Sequence, residues 1–151
     1  MRGVTMNAQI NVIQILVVAA ALGHFITVPA LVIAPRLGML GLDDFRKLAP
    51  INYRIVLVVM GTIQMVLLAS GATVIWARAD LVSGSRLSIA TTGSLALLWI
   101  WRLGVQILAY GPLFTRTVTR WLHLGLIILF AFMGCAYAMA FAHGVQVATG
   151  R

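Results

Sequence analysis

Four long apolar runs constrain this 151-residue chain more than any other feature of its sequence. The runs extend over about residues 10–34, 55–77, 87–111 and 121–142, and the only charged residue inside them is Arg102. Each run is long enough to cross a hydrocarbon layer of about 30 Å as an α-helix, which rises about 1.5 Å per residue. The sequence therefore predicts an all-α integral membrane protein, built as a single domain and folded as a four-transmembrane-helix bundle.

The composition agrees with a chain that is surrounded mostly by lipid. Hydrophobic residues make up 62% of the sequence and charged residues 9%, whereas a soluble domain carries about 25% charged residues. The net charge of +8 comes mainly from cations at the ends of the apolar runs, where such residues meet lipid headgroups. We therefore expect the bilayer and its anionic lipid headgroups as partners, and no nucleic acid.

The distribution of Lys and Arg predicts an orientation. The side of the first and third connections carries six of these residues, and the opposite side carries four. The first side holds Arg36, Arg46, Lys47, Arg54, Arg116 and Arg120, and the second holds Arg2, Arg78, Arg86 and Arg151. Because cytoplasmic loops are enriched in Lys and Arg, both termini are expected outside, in an inner (plasma) membrane of bacterial type.

Arg102 is the residue that points most directly to a site, because it lies well inside the third run. An arginine at such depth costs at least about 2.5 kcal/mol on insertion scales and usually faces the interior of a bundle. Trp99, Arg102, Gln106 and Tyr110 recur at spacings of three and four and therefore share one helix face. We expect this face to point into the bundle.

Two further polar residues are expected near the level of Arg102. Counted from the boundary beside the first and third connections, His24 lies roughly 15 Å deep, and Gln64 and Arg102 lie roughly 14 Å deep. The candidate ligand-binding residues are therefore His24, Gln64, Trp99, Arg102, Gln106 and Tyr110. These side chains either satisfy one another's hydrogen bonds or bind a ligand.

The chemistry of these candidates suggests three kinds of function. The apolar runs contain no Asp or Glu, so a ligand or a partner subunit is expected to balance the charge of Arg102. Arginine, amide and aromatic side chains suit a quinone carbonyl, a haem propionate or an anionic lipid headgroup. A structural accessory subunit of a larger membrane complex is the alternative. A small transporter is the least favoured, because the interior lacks the acidic relay usual for proton or cation coupling. Within that class, an anion path past Arg102 stays open.

The three histidines and the missing motifs narrow the chemistry further. A haem held by two histidines needs them at matching depth, but His123 lies roughly 3 Å inside the boundary from which His24 lies roughly 15 Å. His143 lies near the opposite face of the membrane. His24 therefore stays a weak candidate for the single protein ligand of a haem iron or for a haem site shared between subunits, and no other metal site is predicted.

The sequence contains no HExxH, CxxC, GxSxG or phosphate-binding loop, which favours a non-enzymatic role and leaves catalysis open.

Small residues recur four apart in two of the runs. The first run contains Ala19 and Gly23, and the fourth contains Gly134, Ala138 and Ala142. Such residues let helices approach closely in lipid, where packing replaces the hydrophobic effect. We expect close packing inside the bundle, with a homo-oligomer face as the alternative.

Overall fold

The computed structural model describes residues 2–36, 50–110 and 117–150, and its regular structure within these ranges is helical. The four long helices are α1 (Arg2–Arg36), α2 (Pro50–Trp76), α3 (Arg86–Val105) and α4 (Thr117–Thr149). The predicted all-α fold is thus confirmed. By length and composition, each helix contains a segment that is able to cross a membrane: Ala8–Pro29, Val58–Trp76, Arg86–Leu108 and Arg120–Thr149.

The first and last helices of the chain, α1 and α4, are longer than the apolar runs that predicted them. α1 begins at Arg2 rather than near residue 10, and α4 continues to Thr149 rather than ending near residue 142. Hydropathy marks the apolar part of a helix, whereas its hydrogen bonds continue into polar flanks. The sequence therefore predicted the number of helices better than their ends.

The described ends of α1 and α3 each have a distinctive feature. α1 includes Pro35 and ends at Arg36. α3 continues beyond Val105 as a π-helical turn over Gln106–Tyr110. Such turns are rare and are frequent at functional sites. Pro112 lies outside the described residues.

The order of the helices in space is α2, α1, α4, α3. α4 packs against both α1 and α3, and α2 packs mainly against α1. α3 and α4 are antiparallel, since Gly93 lies against Phe141 and Gly134 lies against Ile100. Within the described residues α2 and α3 scarcely touch, although only residues 77–85 connect them.

The connection between α2 and α3 is folded against the end of α4. It contains a 3-10 turn, Asp80–Val82, whose two apolar side chains are buried. Gly84 has a φ of 75°, and a Cβ there would lie 2.7 Å from Cγ1 of Val147, so this position favours glycine. Ser85 then caps α3, because its side chain accepts a hydrogen bond from the backbone N–H of Ser88.

α1 and α4 pack closely against each other. Val17 and Ala20 of α1 are fully buried, as are Met133 and Ala140 of α4. A Cβ on Gly23 would lie 2.6 Å from Sδ of Met133, so this small residue lets α1 and α4 approach closely. Gly23 therefore serves packing inside the bundle, as expected for small residues at helix contacts.

The outer faces of the helices are apolar. Large side chains such as Ile15, Met65, Trp101 and Leu108 are exposed, one on each of α1 and α2 and two on the third helix and its π-helical turn. The hydroxyl groups of Thr62, Ser70 and Thr73 on α2 donate to carbonyls four residues earlier in the same helix, so they present little polar character outward.

Candidate functional site

His24, Trp99 and Tyr137 meet at the centre of the structure and form what we call the aromatic junction. Nε1 of Trp99 donates a hydrogen bond to Nε2 of His24 over 3.0 Å, and the hydroxyl oxygen of Tyr137 lies 3.4 Å from the same nitrogen. The imidazole ring centroid lies 5.0 Å from that of Trp99 and 6.0 Å from that of Tyr137. All three side chains are buried. The junction therefore joins α1, α3 and α4.

The hydrogen bond from Trp99 assigns the tautomer of His24. An indole N–H can only donate, so Nε2 of His24 is the acceptor and the neutral ring carries its proton on Nδ1. Nδ1 lies on the side of the backbone of Leu67 on α2. Among the described residues, no acceptor lies within the distance and angle limits of a hydrogen bond to Nδ1. A Cβ on Gly71 would lie 3.0 Å from Cβ of His24. His24 is therefore in close contact with α2 as well.

Arg102 lies one turn along α3 from the junction. Its side chain is half-buried, and its guanidinium carbon lies 5.2 Å from the centroid of the Phe130 ring on α4. The Phe130 ring in turn lies 5.4 Å from that of Trp99. A cation over an aromatic face is stabilised by the quadrupole of the ring. Phe130 thus links Arg102 to the aromatic junction.

Gln106 and His123 form the outermost contact of this series. Nε2 of Gln106 lies 2.9 Å from Nδ1 of His123; Gln106 is buried, and His123 is half-buried. With the amide nitrogen as donor, Nδ1 of His123 is the acceptor, and the neutral ring carries its proton on Nε2. Gln106 also begins the π-helical turn that follows α3. The hydrogen bond from Gln106 therefore leaves the ring proton of His123 on Nε2, the nitrogen farther from Gln106.

These contacts form two groups along the interface of α3 and α4, and together we call their residues the polar seam. The α3 members recur at spacings of three and four, and the α4 members recur every seven residues, so each set lies on one helix face. The seam consists of Trp99, Arg102, Gln106, His123, Phe130 and Tyr137, with His24 at its inner end. It extends about 10 Å along α3 from Trp99 to Gln106.

The structure brings most of the predicted site residues together. Trp99, Arg102 and Gln106 all lie on the face of α3 that contacts α4, and His24 joins them through Trp99. Tyr110 ends the π-helical turn, but its side chain lies outside the described part of the chain. Gln64 does not join the seam through any described contact, and its side chain is half-buried on α2.

His24 and Gln64 were expected at the same depth, and the packing of α2 on α1 corrects this expectation. Gly71, not Gln64, is the α2 residue that lies beside His24. Gln64 precedes Gly71 by about two turns and therefore lies roughly 10 Å away along the helix axis. Counting residues from a membrane boundary could not reveal this register, because it depends on how Gly71 packs against α1.

The residues that α4 contributes were not predicted from the sequence. His123 was placed near the membrane boundary, and neither Phe130 nor Tyr137 was considered as part of a site. Their spacing of seven residues, 123, 130 and 137, is the signal that was available, because it marks one face of a helix. Which neighbour that face contacts depends on the arrangement of the helices.

The donor set bears on the metal and haem hypotheses. Among the described residues, no group of three His, Cys, Asp or Glu side chains is placed to hold a metal ion. The Nε2 lone pair of His24, the weak metal candidate, accepts the hydrogen bond from Trp99. His123 is engaged through Nδ1 by Gln106.

No protein-family model, curated protein or solved structure matches this chain.

Proposed function

We propose that the chain is an integral membrane protein that crosses an inner (plasma) membrane four times. Support comes from the large apolar side chains exposed on the outer faces of the helices, because soluble monomers rarely expose contiguous apolar patches of more than a few hundred Å². Trp76 and Trp121 are exposed near helix ends, where aromatic residues meet membrane interfaces. The count of Lys and Arg favours termini on the outer side.

Within this bundle the polar seam binds a quinone, or another ring ligand that carries carbonyl acceptors. The observation that carries this proposal is the hydrogen bond between Gln106 and His123, because it gives His123 an N–H donor at Nε2. Arg102, one turn further in, also presents only donors. Both side chains are half-buried rather than closed off. Two donors beside an aromatic ring match the two carbonyls and the flat ring of a quinone.

The inner end of the seam has a positioning role in this proposal. His24, Trp99 and Tyr137 are buried and contact one another, so they hold α1, α3 and α4 in register around the outer donors. Haem is less favoured, because Trp99 would have to give up its hydrogen bond before His24 could ligate iron through Nε2. A lipid phosphate is less favoured at Arg102, since that residue lies inside the apolar segment Arg86–Leu108 rather than at its end.

Binding of a short-chain quinone to protein purified in mild detergent tests this function. Equilibrium dialysis should give saturable binding, and mass spectrometry of an organic extract should find the co-purified quinone. His123→Ala and Arg102→Gln should each weaken binding about tenfold or more, as expected when a hydrogen bond to a ligand is lost in a poorly solvated site. Arg86→Gln is the charge-matched control, because Arg86 is exposed at the other end of α3.

The proposal fails if the wild-type protein retains no quinone and binds the short-chain compound without saturation. It also fails if Arg86→Gln weakens binding as much as Arg102→Gln does. Circular dichroism and size-exclusion chromatography of each variant separate a lost ligand contact from a lost fold.

A structural accessory subunit is the second candidate, and the exposure of α2 favours it. Only 11% of the membrane-spanning window of α2 is buried, compared with 39% for α1. A partner subunit could cover this face. In that case the chain would migrate in a larger assembly on native electrophoresis, and a cysteine introduced at the exposed Met65 would cross-link to the same partner.

A further inference from the structure

His24 and His123 are held by different kinds of hydrogen-bonding group, and the difference decides where each ring proton can lie. Nε2 of His24 accepts from the indole N–H of Trp99, which can donate but never accept. Nδ1 of His123 lies 2.9 Å from Nε2 of Gln106, and a primary amide has a donor at one end and an acceptor at the other. The tautomer of His24 is therefore fixed by its partner, whereas that of His123 is reversible.

The contact between Gln106 and His123 can be made in two ways. In the first, the amide nitrogen donates to Nδ1, and the ring proton lies on Nε2. In the second, the amide is rotated by half a turn, its oxygen accepts from an N–H at Nδ1, and Nε2 carries a lone pair. The two ends of the amide are nearly equal in size, so both states keep one hydrogen bond between the same side chains. The imidazole is neutral in both.

The described contacts of Gln106 allow this rotation. Within the part of the chain that the structure describes, its side chain forms no hydrogen bond other than the one to His123. A second partner would hold the amide oxygen and nitrogen in fixed places. His123 is half-buried, so water is able to exchange its ring proton. The two states therefore interconvert without a change in the packing of α3 against α4.

The two states suit the two redox forms of the ring ligand proposed for the polar seam. A quinone has carbonyl oxygens, which only accept, whereas a hydroquinone has hydroxyl groups, which also donate. Arg102 only donates, and it suits the oxygen of either form. His123 donates from Nε2 to a carbonyl in its first state and accepts from a hydroxyl in its second state. A partner that could not reverse would leave a hydroxyl proton without an acceptor.

We propose that the reversible contact between Gln106 and His123 lets the polar seam bind a quinone and its hydroquinone equally well. Gln106 is a positioning residue here, because it acts on the ligand through His123. This inference rests on the quinone binding proposed above and deepens it, since it states which redox forms the site accepts. With a fixed donor at His123, the seam would favour the oxidised form.

Binding of duroquinone and of its hydroquinone to the full-length protein in mild detergent tests this proposal. The hydroquinone is kept reduced with dithionite in the absence of oxygen. Equilibrium dialysis should give dissociation constants that agree within about threefold, because each form makes the same number of hydrogen bonds to the seam.

NMR of protein labelled with ¹⁵N in its histidines gives the second measurement. The ring proton of His123 should lie on Nε2 with duroquinone and on Nδ1 with the hydroquinone, and His123→Ala identifies these signals. Correlations to the ring C–H protons tell the two nitrogens apart. The signals of His24 should be the same with both ligands, because Trp99 can only donate to it.

Two glutamine variants test the role of the amide. Gln106→Leu should lower the affinity for both redox forms alike, by about fivefold, because the amide no longer orients the ring of His123. Gln146→Leu is the matched control, since Gln146 is exposed near the opposite end of α4. It should change neither the affinities nor the signals of His123. An equal loss in both variants would overturn the role of Gln106.

The measurements on the wild type decide the proposal even if Gln106→Leu does not fold. A preference for duroquinone of about tenfold or more, the size of one net hydrogen bond, would overturn the proposal and leave quinone binding standing. A ring proton on Nε2 of His123 with both ligands would do the same. Binding of neither compound would overturn this proposal together with the proposed function.

Discussion

The indole N–H of Trp99 on α3 donates to Nε2 of His24 on α1 over 3.0 Å, in a buried position. α1 and α3 have few other contacts, because α4 lies between them in the order of the helices. A hydrogen bond in such a poorly solvated place is stronger than one in water, and its loss leaves a buried acceptor unsatisfied. This bond therefore holds two otherwise separate helices in a defined register.

Removal of the indole donor should destabilise the protein. Trp99→Phe should lower the free energy of unfolding by about 1–3 kcal/mol, because Nε2 of His24 loses its principal donor. The measurement is unfolding in detergent followed by circular dichroism. Trp101→Phe is the matched control, since Trp101 is 70% exposed and should change stability by less than about 0.5 kcal/mol. Equal effects of the two substitutions would contradict the role of the bond.

Tyr137→Phe should have a smaller effect than Trp99→Phe. The hydroxyl of Tyr137 lies 3.4 Å from Nε2 of His24, which is long for a hydrogen bond, and the aromatic ring is retained in the variant. We expect a loss of less than about 1 kcal/mol. The double variant should be non-additive by at least about 0.5 kcal/mol, because both groups contact one nitrogen. Strict additivity would show that Tyr137 acts through packing alone.

The contact between α1 and α2 should depend on a glycine. Gly71→Leu should destabilise the protein by about 1–3 kcal/mol or more through overpacking, because a Cβ there would lie 3.0 Å from Cβ of His24 and 3.1 Å from the carbonyl oxygen of Ala21. Gly61→Leu is the control on the same helix, since nothing lies within 4 Å of a Cβ at Gly61. If thermal unfolding shifts equally in both variants, α2 does not pack at Gly71 as described.

The single cysteine provides a test of membrane insertion. Cys135 is exposed on α4 within the segment Arg120–Thr149, so its thiol should face lipid. In intact membranes a charged thiol reagent should not label it, because hydrocarbon excludes a charged reagent. A permeant reagent, applied after detergent, should label it. In a Cys135→Ser background, Ser83→Cys in the exposed connection should react with the charged reagent. Equal labelling of both positions would contradict the membrane assignment.

Gln106 should control the tautomer of His123. Gln106→Leu removes the amide that donates to Nδ1, so the proton should redistribute between the two ring nitrogens. We expect a change in the ¹⁵N chemical shifts of His123 and a loss of about fivefold in affinity for a short-chain quinone. Ile107→Leu, a conservative change at the next residue, is the control. Unchanged shifts of His123 would exclude the proposed role of Gln106 in the site.

Much of the fold was predictable because it is set locally. The length and hydropathy of each run predicted four helices, and the spacing of Trp99, Arg102 and Gln106 predicted the face of α3 that meets another helix. Both features depend on residues that are close in sequence. The polar members of one helix could therefore be found without knowledge of the others.

The partners of these residues could not be predicted in the same way. The register of α2 on α1 follows from the packing of Gly71 against His24, which involves residues far apart in sequence. The α4 side of the seam was missed because the order of the helices in space decides which faces meet. Counting depth from a boundary assumes that residues at equal distances along different helices lie at equal depth. The position of Gln64 relative to His24 contradicts this assumption.

The order α2, α1, α4, α3 also has a consequence for biosynthesis. Each half of the chain is a hairpin of adjacent helices. In the proposed membrane protein, the first hairpin is therefore able to leave the translocon as a paired unit while the ribosome is still making the second. The contact between α1 and α4 then becomes the step that unites the two hairpins. Two fragments divided between α2 and α3 and produced in the same cell should therefore find each other in the bilayer.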